Sequence, residues 1–134
     1  MLNSVVDTFN LLVDCRKEII MRSNLQEKLT DRFLFLPKYL EIEDGWYDLI
    51  FNLCEQIEMR LRNKKHDFEV VQVKQKYGSL SFYTNIYEDN NLYNNLIELI
   101  DEFENKSENV CEYCGKKGKP IWKNHWCNTR CDIC

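Results

Sequence analysis

The sequence contains no apolar run near the roughly 20 residues a membrane span needs. Its first residues lack a basic region followed by an apolar stretch and a small-residue cleavage site, so no secretory signal is expected. Only two histidines occur, His66 and His125, and they lie far apart. That excludes the paired-histidine motifs of zinc-dependent proteases and nucleases. Neither histidine begins the His-x-Glu signature of a zinc deaminase. Internal repeats and low-complexity tracts are also lacking. What remains is 44% hydrophobic and 13% aromatic, enough for a packed core and too much for disorder.

Cysteine is the residue the chain has in excess. Five of its seven cysteines fall in the last 24 residues. Cys111-x2-Cys114 and Cys131-x2-Cys134 form two pairs with 16 residues between them, the spacing of a four-thiolate zinc site. Two residues between cysteines let both sulfurs of a tight turn face one ion. Gly115 follows the first pair, where such a turn needs a residue free of Cβ. Four thiolates around Zn2+ leave no position for water or substrate, so the expected role is structural. Two other residues could enter the set: Cys127 in place of Cys131, or His125 in a three-cysteine, one-histidine site. The matching pairs favour Cys111, Cys114, Cys131 and Cys134. His125 is expected at the tip of a 119–130 hairpin and Cys127 on its second strand. Cysteines at metal spacing, with Cys15 and Cys54 isolated, fit a reducing, cytoplasmic setting, or host cytoplasm if the chain is phage-encoded.

The net charge of −4 is unevenly spread. Residues 111–134 carry five basic and two acidic side chains, hence +3, which leaves −7 for residues 1–110. An acidic body argues against wrapping a long nucleic acid, while the basic ribbon leaves a limited contact open.

Along the chain, residues 2–21 show an apolar helical stripe from Leu2 to Ile20. Ser23 or Asn24 opens a second helix to about Arg32, each reading as a capping box with Gln26 or Glu27. Residues 33–43 read as an edge strand or a core-covering loop. Asp44-Gly45-Trp46 begins a helix to about Asn63, with Asp44 as its N-cap and Trp46, Leu49, Ile50, Leu53, Ile57 and Leu61 as its buried stripe. Residues 68–85 alternate as a β-hairpin around Tyr77-Gly78, with Gly78 at positive φ. Val71 and Val73 share one face, Leu80, Phe82 and Thr84 share another, both expected to pack on the helices, and Lys74 and Lys76 point out. Asp89 or Asn90 caps a further helix with the stripe Leu92, Leu96, Leu99, Ile100 and Phe103 and an acidic side bearing Glu98, Asp101, Glu102, Glu104 and Glu108. The fold class is therefore α+β: a body over residues 1–110, with helices packed on a short antiparallel hairpin, followed by a zinc ribbon over residues 111–134. Ile121, Trp122 and Trp126 are expected to form the organic part of the ribbon's small core.

Three stretches together carry a resemblance. They are Glu41-x-x-Asp44-Gly45-Trp46, then Gln72-Val73-Lys74-x-Lys76-Tyr77-Gly78 with Leu80, Phe82 and Tyr83, then Cys111-x2-Cys114-Gly115 with Thr129, Cys131 and Cys134. Residues 41–134 resemble a family of small uncharacterised zinc-ribbon proteins met in phage and bacterial genomes. The chain departs from that pattern at Gly78-Ser79, where two glycines are usual, and at Ser81, where an arginine is common. The resemblance implies zinc, small size and a mobile-element setting, and brings no established activity.

Function is read as non-enzymatic binding of a host or cellular protein, including modulation or inhibition of a host factor. Its candidate contacts are Trp126, Lys123, Lys74 and Lys76, with Glu98, Asp101 and Glu102 on the acidic helix. The alternative is a nucleic-acid module using the ribbon and the Lys74/Lys76 face, with tryptophans stacking on bases. An enzyme built on Asp44, Lys74, Lys76 and Tyr77 ranks third, because no spacing brings a nucleophile and a base together.

Overall fold

The computed structural model describes residues 21–134. The helix expected over residues 2–21 therefore lies, apart from Met21, outside the described residues. Three α-helices and two antiparallel strand pairs follow, so the α+β expectation holds. No helix among the described residues is long and apolar enough to cross a membrane.

Helix α1, Ser23–Arg32, begins without a side-chain cap. The capping-box reading fails because Gln26 is turned inward, where its Oε1 accepts the Leu40 N–H at 2.6 Å. That bond pins residues 33–43, which form a loop over the core: Leu36, Leu40 and Ile42 are buried. A bridge from Glu41 to Lys74 ties the loop to the sheet.

A 3-10 turn, Asp44–Trp46, leads into α2, Tyr47–Leu61. Asp44 does not cap it. Its carboxylate accepts instead from the backbone N–H and the guanidinium of Arg22, at 2.8 and 2.5 Å. The expected stripe from Trp46 to Leu61 is buried throughout, as the 3.6-residue period requires.

Strands β1, Val70–Lys76, and β2, Ser79–Thr84, form the first hairpin. Tyr77 and Gly78 both take positive φ, 53° and 82°, the signature of a type I′ turn. The register shifts between Val70 and Gln72. This bulge puts Val70 and Val73 inward and leaves Val71 60% exposed, correcting the expected Val71/Val73 face. An extra residue reverses the alternation, and the alternating pattern alone gave no sign of it.

Helix α3, Asn91–Ser107, is capped by Asn90, whose Oδ1 accepts the Tyr93 N–H at 2.8 Å. Its apolar stripe packs against α2 and β2. Two polar side chains of its last turns cover the free edge of β2. Glu104 accepts from Phe82 N–H and Ser107 from Leu80 N–H, both at 2.8 Å. On the other side, the Phe35 carbonyl accepts the Val70 N–H and the Glu41 N–H reaches the Val73 carbonyl. Both sheet edges are thus closed at these points, which blocks strand addition there.

The second hairpin pairs β3, Lys119–Lys123, with β4, Trp126–Arg130. Asn124 and His125 form its two-residue turn, again with positive φ, 52° and 67°. Its two sides differ: β3 is exposed along its whole length, while Cys127 and Thr129 of β4 are buried.

Candidate metal centre

The first cysteine turn is closed by backbone. Gly115 N–H donates to the Cys111 carbonyl at 2.8 Å, and Cys111 N–H donates to the Lys116 carbonyl at 2.7 Å. Gly115 has φ 83°, so its lack of Cβ is used as the sequence implied. Glu112 N–H then bonds the Thr129 carbonyl at 3.0 Å, tying the first turn to β4, which delivers Cys131 and Cys134.

The four sulfurs of Cys111, Cys114, Cys131 and Cys134 all lie within 4.8 Å of one another. Cys114 and Cys131 Sγ are 3.5 Å apart, too far for a disulfide. Thiolates at about 2.3 Å from a tetrahedral ion sit about 3.8 Å from each other, so these spacings fit one metal ion. Cys111 and Cys131 are buried, Cys114 and Cys134 exposed. The Cys134 backbone N–H points at Cys131 Sγ from 3.3 Å. That bond favours the thiolate and lowers Cys131 to about 6. Cys134, as a donor toward Cys131, is pushed up to about 12. One thiolate thus makes the next proton harder to lose, until a cation is there to replace it.

Neither rival ligand joins the group. His125 sits in the hairpin turn. Cys127 packs on the body instead, and burial raises its thiol above the ordinary range. A Cβ built on Gly78 would lie 2.7 Å from Cys127 Sγ. Gly78 therefore serves a turn and a docking socket at once.

The stretches Glu41–Trp46, Gln72–Gly78 and Cys111–Cys134 meet at this junction. Gly45 N–H donates to the Glu112 carbonyl at 2.6 Å. A Cβ on Gly45 would stand 2.2 Å from the Cys111 carbonyl oxygen and 2.4 Å from that of Glu112. Trp46, fully buried, donates its indole N–H to the Val110 carbonyl at 2.8 Å. Thr129 hydroxyl donates to the Gly78 carbonyl. Gln75 donates to the Cys127 carbonyl at 3.0 Å and to Asn128 Oδ1 at 2.7 Å. What reads as a helix start and a hairpin turn in sequence is also the seat of the ribbon.

Sequence reasoning missed the charges beneath that seat. Arg130 pairs with Glu43 at 2.7 Å, and both are largely buried. Glu112 is buried beside them and accepts the Glu43 N–H at 3.1 Å. Its other oxygen has no hydrogen-bond partner and lies 3.9 Å from Arg130. Burial first, then the nearby Glu43 carboxylate, pushes Glu112 up to about 7 against the pull of Arg130. A glutamate between two ligand cysteines was the available signal.

The expected contact residues are spread over the second hairpin, the first hairpin and α3. Trp126 and Lys123 are cross-strand partners, both exposed. Lys74 lies over the Tyr83 ring and Lys76 over that of Tyr77, 5.8 and 5.9 Å from the centroids. Glu98, Asp101 and Glu102 are exposed on α3, with Glu102 paired to Lys106 at 3.1 Å. The expected ribbon core is not formed by Ile121, Trp122 and Trp126, which are 40%, 62% and 57% exposed. Trp122 instead stacks on Tyr77 at 6.3 Å and 27°. Twenty-four residues need no core of their own when β4 packs on the body. Of the residues weighed for an enzyme, Asp44 is held by Arg22, while Lys74 lies over the Tyr83 ring and Lys76 over that of Tyr77.

No protein-family model, characterised protein or solved structure matches the chain.

Proposed function

We propose that the protein is a non-enzymatic binding protein stabilised by structural zinc, acting on a host or cellular protein in the cytoplasm. One observation carries this reading: β4 holds the ribbon to the body, while β3 and the tryptophan-bearing hairpin stay exposed. A ligand set closed by four thiolates supports a structural ion, because catalytic zinc needs an open position. Thiolate donors in a tetrahedral set suit zinc among the available divalent metals. The resemblance to small phage and bacterial zinc-ribbon proteins adds a mobile-element setting, in which the partner would be a host factor that is modulated or inhibited.

The test is copurification of the native protein, with metal measured on the same sample. One zinc per chain and a stoichiometric protein partner are the expected results. A chain recovered without any partner at native concentration contradicts the binding role. The second reading, a nucleic-acid module, draws on Trp122 stacked on Tyr77 beside Lys76. Retention on single- or double-stranded probes with a steep salt dependence would favour it over the first.

A further inference from the structure

The register of the second hairpin divides its side chains between two faces. Lys119 pairs with Arg130, Ile121 with Asn128 and Lys123 with Trp126, so these six share one face. Pro120, Trp122, Cys127 and Thr129 share the other. That second face is occupied: Cys127 and Thr129 meet Gly78, and Trp122 covers Tyr77. On the first face, Asn128 is taken by Gln75 and Arg130 by Glu43. Four exposed residues remain there, Lys119, Ile121, Lys123 and Trp126.

Resting on the binding-protein reading, we infer that these four residues are the docking surface for an acidic, apolar-bearing protein segment. Ile121 and Trp126 are diagonal neighbours across the strands and supply a small apolar anchor of the kind that carries interface energy. Lys119 and Lys123 flank it, and neither has an ion-pair partner among the described residues. Their charge is complementary to carboxylates and hostile to a basic partner. Contact through side chains is favoured over strand addition, because Pro120 removes one N–H from the β3 edge and the lysines blunt it.

Single-stranded nucleic acid fits this face less well. Such strands follow a positive groove over several nucleotides. Here the lysines of the first hairpin lie over the rings of Tyr83 and Tyr77, and residues outside the ribbon carry a net −7 by difference from the totals. A rim of two lysines around two apolar side chains matches a short acidic segment better than an extended backbone.

The experiment uses the zinc-loaded full chain and three labelled probes: a peptide alternating glutamate with leucine, the same peptide with lysine for glutamate, and oligothymidylate. The glutamate peptide should bind and the lysine peptide should not. Lys119→Glu with Lys123→Glu should weaken binding by about tenfold or more, with loss of its salt dependence. Trp126→Ala should weaken it by about tenfold as well. All these side chains are exposed, so circular dichroism and metal content should stay at wild-type values. Equal binding of both peptides, or binding that survives the double charge reversal, overturns the assignment. Tighter binding of oligothymidylate overturns it in favour of nucleic acid. If no probe binds, the surface assignment falls, whereas the broader reading falls only if no partner copurifies. A copurified partner retained when Lys119→Glu, Lys123→Glu and Trp126→Ala are combined would keep the broader reading and sink this one.

Discussion

Gly45 lies so close to Glu112 that its backbone N–H reaches the Glu112 carbonyl at 2.6 Å and a Cβ would overlap it at 2.4 Å. Sixty-seven residues apart in sequence, the two join the start of α2 to the first cysteine turn. Gly45→Ala should therefore shift the turn that carries Cys111. The expected cost is about 1–3 kcal/mol, the usual range for overpacking against a fixed backbone. Urea unfolding measures it, and metal retention in a chelator competition should fall with it.

Arg130 is the cation that makes the buried pair of Glu43 and Glu112 tolerable. Its removal in Arg130→Met leaves two carboxylates in a site with little access to water. A loss of about 3 kcal/mol is expected. Arg130→Lys should recover only part of it, since an ammonium lacks the guanidinium fork. Thermal and urea unfolding of the three proteins check the order wild type, lysine, methionine.

Metal removal should be felt beyond the ribbon. Trp46 is buried against Val110, whereas Trp122 and Trp126 are already exposed. Chelation at neutral pH should red-shift tryptophan emission through Trp46 and lower the unfolding midpoint of the whole chain. An emission spectrum and midpoint unchanged by complete metal removal would show that ribbon and body are independent.

Glu104 offers a pH test away from the cysteines. Burial raises its carboxyl above the ordinary range, opposed by the Phe82 N–H it accepts. The folded state then holds this proton to higher pH than the unfolded state. Stability rises as pH falls from the folded value to the unfolded one. Glu104→Gln keeps an oxygen for Phe82 and carries no charge. Its stability relative to wild type should be greatest near neutral pH and shrink once wild-type Glu104 is protonated. Unfolding midpoints for both proteins across that range decide the point.

Much of this molecule was legible in sequence because its signals are local. The stripe from Trp46 to Leu61, the Asn90 cap, the Tyr77-Gly78 turn and the two Cys-x2-Cys pairs each span few residues. The losses come from contacts between distant segments. Asp44 reads as a cap until Arg22 takes its carboxylate, and Gln26 reads as half of a capping box until Leu40 claims it. Val71 follows the strand alternation until a bulge reverses it. Trp122 and Trp126 read as a core because a short ribbon on its own would need one. Docking of Cys127 and Thr129 on Gly78 removes that need, and no single stretch of sequence contains both partners.

The ligand set can be tested with two single substitutions and one metal assay. Zinc is measured per chain in wild type, Cys127→Ser and Cys134→Ser after equal challenge with a chelator. One zinc per chain is expected in wild type and Cys127→Ser, with clear loss in Cys134→Ser. Retention by Cys134→Ser together with loss from Cys127→Ser would contradict a centre built from Cys111, Cys114, Cys131 and Cys134.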